Sequence, residues 1–418
     1  MKKNKSFKNL LNNFCIKKIA ATIPLLLLVF FFSGCANWQD QKVSSEYPPI
    51  NPKPSINQQK NVDTSPVKNS LSKQPKSLEL LSQKDMTPEG QQARRPDVVA
   101  IEGELWLAYV SNSLGPMLQR FDSNLNKIGQ TVTLQKANED KMTTDIRVGK
   151  ANENFWMAYE SIISPEIACN EHFLNAASYA GDPPQISKKV FHIAKGCALK
   201  KEYIDNPVGV SVNPEITDDP TPFYHNGFHY VLTRAWNDKS VQHLRKLNSD
   251  LSVAEDILLD TGNLVPKKRM SQSALLHIND RPYLVAGFST GMWVDQNTSE
   301  LYIIPLSDNL RSFSGGAVRL SVKNVKFPTR VTRAINVDGT LIINFIDSFV
   351  YPGEGFKVSE YLALFDATSN FSLIDQIKVQ DRQVADNHSS FEILNDRLYL
   401  FQQQEGEKIS AKIFQIKK

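Results

Sequence analysis

Seven charged or titratable residues stand just before short apolar runs, and their side chains are of the types that bind carboxylates or cleave glycosidic bonds. They are Arg95, Asp97, Asp145, Asp219, Arg269, Arg330 and His388. The planar guanidinium fork of arginine matches a carboxylate, and a pair of carboxylates can hydrolyse a glycosidic bond placed between them. The alternative is structural, with each arginine paired to a neighbouring aspartate. The two alternatives differ in whether the fold gathers these residues around one opening.

Five aromatic residues fall in turn-rich stretches that strand packing does not require. They are Trp236, Trp293, Phe349, Tyr351 and Phe356. Aromatic side chains gathered on one face are typical of recognition surfaces, so these residues form a candidate binding face for a protein or a glycan. The alternative is that each aromatic ring covers only its own loop.

One pattern recurs six times between residues 77 and 418 and must position both groups. It is a short strand, a tight turn and a second strand rich in aromatic and aliphatic residues, as in 97–109 and 146–159. Most of the turns are obvious dipeptides: Glu102-Gly103, Asn226-Gly227, Asn279-Asp280, Asp338-Gly339 and Asn395-Asp396. Asn-Gly and Asp-Gly between alternating apolar runs are the strongest short-range signal of a β-hairpin.

A second pattern follows four of these copies and completes a four-stranded unit. It is a strand that ends in a polar turn closed by an apolar residue, and it is followed by an outer strand. The turns span 121–125, 247–251, 306–310 and 365–371. Four antiparallel strands repeated about every fifty to sixty residues are typical of a β-propeller blade. The sequence therefore predicts an all-β fold, a six-bladed β-propeller of four-stranded antiparallel blades.

The sixth copy ends with the chain and lacks an outer strand. The segment Ser77 to Leu81 precedes the first blade and resembles the outer strands, so we expect it to pair with the C-terminal strand and close the ring, which removes exposed sheet edges. The alternative is a stray strand on an open or five-bladed ring. In a closed propeller the seven charged residues would ring a central funnel, with the aromatic loops on the same face.

The N-terminus carries a targeting signal. A leader with six lysines and no acidic residue precedes the apolar run Ala20 to Phe32 and then Ser33-Gly34-Cys35, the order of a secretory signal. The stretch resembles the lipobox of bacterial lipoproteins, which implies removal of residues 1–34 and lipidation of Cys35. The alternative is an uncleaved signal anchor. If the host has two membranes, Ala36 is not the aspartate that retains such proteins in the inner membrane, so the resemblance implies a palmitate-bearing anchor in the cell outer membrane.

Removing the leader changes the net charge from +4 to −2. The basic character belongs to the leader, and no nucleic-acid partner is expected because that binding needs clustered lysine and arginine. Residues 35–76 are rich in Asn, Gln, Ser, Lys and Pro and predict a flexible linker with an end-to-end distance of about 35 Å. The propeller domain is expected at 77–418.

The remaining cysteines are Cys169 and Cys197, since Cys15 leaves with the leader and Cys35 carries lipid. In an oxidising compartment two such cysteines favour a disulfide bond. The pattern assigns Cys169 to a long blade-two insertion, Ser161 to Ser187, and Cys197 to the stretch after a third strand at Lys189 to Ile193. A zinc site would need more ligands than His172 adds, so neither a metal nor a cofactor is expected.

Arg95-Pro96-Asp97, with the following run Val98 to Tyr109, resembles the Arg-Ile-Pro segment that opens the six-bladed sialidases. That resemblance implies that Arg269 and Arg330 complete a carboxylate-binding trio, although no Ser-x-Asp-x-Gly-x-x-Trp turn occurs. Asp219-Pro220 resembles the Asp-Pro openings of five-bladed glycosidases. The sequence favours a lipid-anchored module that binds a protein or glycan through its loop face, with a glycosidase or sialidase-like hydrolase acting through the funnel as the alternative.

Overall fold

The structure is a computed structural model that describes residues 74–87, 92–111, 115–134, 142–152, 154–163, 169–181, 184–199, 220–234, 241–266, 268–290, 299–351, 355–382 and 388–418. The chain divides into two units, Met1–Val67 and Lys68–Lys418, and every described residue belongs to the second. The predicted signal peptide and Cys35 lie outside the described residues, as does most of the predicted linker. Within the described ranges, no helix has the length and apolar character needed to cross a membrane.

The described residues form 24 strands in six four-stranded antiparallel sheets, which confirms the predicted six-bladed β-propeller. Blades one to three contain β2 (Ala93–Ile101), β3 (Glu104–Ser111), β4 (Gly115–Phe121) and β5 (Lys127–Thr133); β6 (Met142–Ala151), β7 (Asn154–Ile163), β8 (Cys169–Ala180) and β9 (Gln185–Leu199); and β10 (Thr221–His225), β11 (Phe228–Arg234), β12 (Val241–Leu247) and β13 (Val253–Asp260). Blades four to six contain β14 (Arg269–Ile278), β15 (Arg281–Ser289), β16 (Ser299–Pro305) and β17 (Val318–Leu320); β18 (Pro328–Val337), β19 (Thr340–Tyr351), β20 (Gly355–Asp366) and β21 (Leu373–Arg382); and β22 (Ser389–Leu394), β23 (Arg397–Gln404), β24 (Lys408–Lys417) and β1 (Ser77–Asp85).

The first strands of the blades surround a central channel. Each of β2, β6, β10, β14, β18 and β22 contacts the first strand of the next blade, and β22 contacts β2. Six apolar clusters fill the spaces between blades, one at each of the six interfaces. Every blade therefore packs apolar residues against the blade on either side.

The ring closes as predicted, with β1 as the outer strand of blade six. It pairs antiparallel with β24, and Leu78 lies opposite Ile416. The backbone N–H of Lys76 donates to the carbonyl of Lys417 at 2.7 Å. The strand runs to Asp85, beyond the predicted end at Leu81, because a bulge between Leu80 and Ser82 resets the register and lets pairing continue.

The tight turns have the backbone conformation that their residue types favour. In the Asn226-Gly227 turn both residues have positive φ, 48° and 83°, as a type I′ hairpin requires. The turns between third and fourth strands end in Leu125, Leu251 or Leu310, each with positive φ and each buried. Burial of these leucines between blades offsets the cost of the left-handed conformation.

Blade two differs from its predicted boundaries. The predicted insertion Ser161 to Ser187 is not a loop, since it contains the end of β7 and all of β8, and Lys189 to Ile193 belongs to the fourth strand instead of the third. Likewise, Phe349, Tyr351 and Phe356 lie in the paired strands β19 and β20. In both hairpins strand pairing continues into residues that the sequence had indicated as loop.

Candidate functional site

Five buried or half-buried polar residues lie together in the channel toward the starts of the first strands. We call Arg95, Asp97, Asp145, Arg147 and His388 the channel cluster. Asp145 Oδ1 lies 3.9 Å from Arg95 Nη1 and 3.7 Å from His388 Nδ1. Arg147 Nη2 lies 3.4 Å from the same ring nitrogen. The fold thus brings together four of the seven predicted funnel residues, from blades one, two and six.

The two aspartates also hold the backbone of the first strands. Asp97 Oδ1 accepts from the N–H of Val98 at 3.0 Å, and its Oδ2 accepts from the N–H of Val148 in the next blade at 2.7 Å. Asp145 Oδ1 accepts from the N–H of Ile146 at 2.9 Å. Both strands carry a bulge just before these aspartates. The carboxylates therefore have fixed positions, and Asp97 joins blade one to blade two.

A second carboxylate faces Asp145 across the β6–β7 hairpin. Asp145 and Glu160 are direct cross-strand partners, and their side chains are 0% and 2% exposed. Directly opposite residues have Cβ atoms about 4.5 to 5.5 Å apart and share one face of the sheet. The hairpin therefore holds two buried acids on paired strands, and Asp145 is the one that lies next to Arg95 and His388.

Farther along the channel, Arg333 and Glu392 form an ion pair between blades five and six, with Nη2 and Oε2 2.9 Å apart. Burial disfavours the charged guanidinium, but the charges of Glu392 and Asp97 offset this cost and raise the pKa of Arg333. Arg333 remains positively charged at any physiological pH.

A cavity of about 380 Å³ occupies the half of the channel nearer the tight hairpins. All six first strands contribute to its wall, including residues just before the hairpin turns such as Ala100, His277 and Ile393. Asp97 and Arg147 also line it, so the cavity and the channel cluster follow one another along the axis and meet at these two residues.

Two histidines stack beside this cavity, between blades three and four. His225 Nδ1 lies 2.9 Å from His277 Nε2, and His225 Nε2 lies 2.7 Å from the carbonyl of Asp308. Burial lowers the pKa of His277, the charge of His225 lowers it further, and Asp280 raises it. A histidine with a lowered pKa stabilises the fold fully above its unfolded pKa of about 6.5, and that stability is lost as pH falls below it.

We therefore expect the melting temperature to fall as the pH is lowered from 7.5 to 5.5. We expect this fall to be smaller in H277Q than in the wild type. The quantity to compare is the slope of melting temperature against pH. H277Q also removes a ring that stacks on Phe223, so it lowers the melting temperature at every pH. H243Q is the matched control, since it removes an imidazole from β12, away from the channel. Equal slopes for the wild type and H277Q would contradict the assignment.

The remaining predicted site residues are placed less completely. Asp219, Trp236 and Trp293 lie outside the described residues, and only the backbone is described for Arg269, Phe349, Tyr351 and Phe356. Arg330 is half-buried near the start of β18, and among the described cavity residues the arginine from this strand is Arg333. The backbone places Cys169 opposite Leu199 and Cys197 opposite Glu171, so the two cysteines lie on neighbouring strands, and a bond between them stays a prediction.

Sequence reasoning missed Arg147, Glu160, Arg333 and Glu392. Each lies inside a strand with an apolar residue beside it, and a charged residue at such a position is the available signal. Pairing residues outward from the turn between β6 and β7 would also have placed Glu160 opposite Asp145. Among the described residues no group of three or more His, Cys, Asp or Glu side chains is arranged to hold a metal ion.

Comparison with known proteins identifies the fold. No protein-family model matches the sequence, and no curated protein matches it. An α-L-arabinanase of Penicillium chrysogenum, solved with arabinobiose, is 13% identical with a TM-score of 0.55 over 81% of this chain and 99% of its own. A GH93 α-L-arabinofuranosidase of Fusarium graminearum is 11% identical, with a TM-score of 0.53 over 80% and 97%. The endosialidase of phage phi92 is 8% identical, with a TM-score of 0.51 over 82% and 69%.

Proposed function

We propose that this propeller is a glycoside hydrolase of the cell envelope, with Asp145 and Glu160 as its pair of carboxylates. The observation that carries the proposal is the direct cross-strand pairing of these two buried acids, with Arg95 and His388 beside Asp145. The solved structures that share the fold include enzymes named for cleaving arabinose- or sialic-acid-containing glycans, which supports a glycan as the substrate class.

The expected reaction is a double displacement. Arg95 places a positive charge beside Asp145, the setting that a carboxylate nucleophile needs. Asp145 would attack the anomeric carbon while Glu160 donates a proton to the leaving oxygen, and Glu160 would then take a proton from the water that releases the sugar. Hydrolysis through such a covalent intermediate retains the anomeric configuration, and the cross-strand pairing of Asp145 with Glu160 places both acids on one hairpin.

The decisive experiment incubates the full chain with a panel of fluorogenic arabinosides, sialosides and other glycosides. Turnover of at least one substrate, with retained anomeric configuration by NMR, is expected. Absence of turnover across the panel, together with capture of a glycan or protein, would favour a binding module instead.

The binding module remains the second candidate because three aromatic residues belong to one hairpin end. Val350 pairs with Phe356, Phe349 with Lys357 and Tyr351 with Gly355. Substituting Phe349, Tyr351 and Phe356 together should abolish capture of a partner if this face carries the function, and should leave hydrolysis of small fluorogenic glycosides unchanged.

We also propose that the chain is exported and anchored in the outer membrane through lipid on Cys35, with residues 35–76 as the linker and Cys169 bonded to Cys197. The support is the leader and its Ser33-Gly34-Cys35 end. In cells labelled with radioactive palmitate, the wild type should carry label in the membrane fraction and C35S should carry none. Thiol labelling of the exported chain should find no free cysteine. A labelled C35S chain, or two reactive thiols, would contradict this assignment.

A further inference from the structure

We propose that the hairpin-side cavity is a second binding site, for a small anionic molecule that carries a carboxylate or phosphate group. It is distinct from the carboxylate pair Asp145 and Glu160, and it would exist whether or not the channel cluster hydrolyses glycosides. The inference comes from how the charged groups of the cavity wall are paired.

Both carboxylates of the cavity wall already accept hydrogen bonds from the protein. Asp97 accepts backbone N–H groups with each oxygen. Glu392 accepts from the N–H of Ile393 at 3.0 Å with Oε1 and from Arg333 at 2.9 Å with Oε2. Neither carboxylate presents an oxygen without a donor, so neither is available to bind a cation or a further donor from solution.

The cations of the wall outnumber the acids. Arg147, Lys150 and Arg333 line the cavity against Asp97 and Glu392. A guanidinium has five N–H donors, and Arg333 uses one of them on Glu392, while the described part of the chain gives it no other hydrogen bond. The planar fork that remains is suited to a carboxylate or phosphate.

The rest of the wall strengthens such an interaction. Val99, Phe223, Leu276 and Ala334 supply apolar surface, which lowers the local dielectric and makes charge pairing stronger than in water. The volume of about 380 Å³ is within the range of small-molecule sites, roughly 300 to 1,000 Å³. Lys150 is exposed at the hairpin end, where it can attract an anion from solution.

The test is titration calorimetry on the full chain with D-glucuronate, glucose 6-phosphate, inorganic phosphate and neutral glucose. We expect at least one anion to bind with a Kd below about 1 mM and glucose not to bind. Comparing glucuronate with glucose 6-phosphate tells which anionic group the site takes. Raising the salt concentration should weaken the binding.

Variants locate the site. R333Q should weaken anion binding about tenfold and K150Q about threefold, whereas R281Q, the same substitution as R333Q on an exposed arginine of β15, should leave it unchanged. If R333Q does not fold, the affinity of K150Q for the anions tests the proposal instead. Failure of all three anions to bind, binding of glucose as tight as that of the anions, or binding unchanged in the folded variants would overturn the proposal. None of these outcomes depends on turnover of a glycoside.

Discussion

Replacing Leu78 with aspartate is expected to lower the free energy of unfolding by about 3 to 5 kcal/mol. Leu78 is 8% exposed on β1 and packs in the apolar cluster between blades five and six, with Leu362, Leu398 and Ile416. A carboxylate there would lose this packing and lie beside apolar side chains without a cation. Because β1 is the strand that closes the ring, its loss would also leave β24 as an open edge.

L80D is the matched control, since it makes the same substitution two residues along the same strand. Leu80 is 53% exposed, and surface changes of this kind alter stability by about 0.5 kcal/mol or less. Chemical denaturation of the full chain, with the midpoint and slope fitted for each variant, separates the two. Equal midpoints for L78D and L80D would mean that β1 is not needed to hold the ring together.

The blade pattern was predictable because its signals are local. A dipeptide such as Asn226-Gly227 specifies a type I′ turn whatever surrounds it, and the repeat of such turns specifies the blades. Ring closure was predictable by subtraction, since the last blade lacked an outer strand and residues 77–81 had no other partner. Both inferences needed only the residue types and the order of the elements.

The boundaries of blade two were not predictable in the same way. The stretch from Cys169 to His172 is polar and lacks a clear alternation, so it reads as a loop, yet it pairs with β7 and β9. Backbone hydrogen bonds between neighbouring strands form whatever the polarity of the side chains, so a stretch without alternating apolar residues gives no signal of its register.

The sequence predicted only some of the charged residues of the channel. Arg95, Asp145 and His388 stand at the starts of first strands, where loop residues are expected to be polar. Arg147 and Arg333 lie farther along their first strands, and their importance comes from partners in other blades, His388 and Glu392. Contacts that close across a ring of six blades depend on the radius of the channel, and no local pattern encodes it.

If the carboxylate pair acts as proposed, E160Q and D145N should each lower kcat on the preferred glycoside by at least about a thousandfold, roughly 4 kcal/mol of transition-state stabilisation. A glutamine at position 160 cannot donate a proton to the leaving oxygen, and an asparagine at 145 is a poor nucleophile. KM should change little, because neither substitution removes a large binding surface. The measurement is steady-state kinetics on protein shown to be folded by circular dichroism.

The two variants should differ in rescue, and that difference assigns the roles. In a retaining mechanism an added azide ion can attack the glycosyl-enzyme intermediate without help from a general base, so azide should restore turnover of an activated substrate by E160Q and give a glycosyl azide of retained configuration. D145N forms no such intermediate and should not be rescued in this way. E360Q is the control, since Glu360 is buried in blade five, where Asn344 and Gln402 donate to it, apart from the channel cluster. A kcat within tenfold of wild type in either channel variant would remove Asp145 and Glu160 from the chemistry.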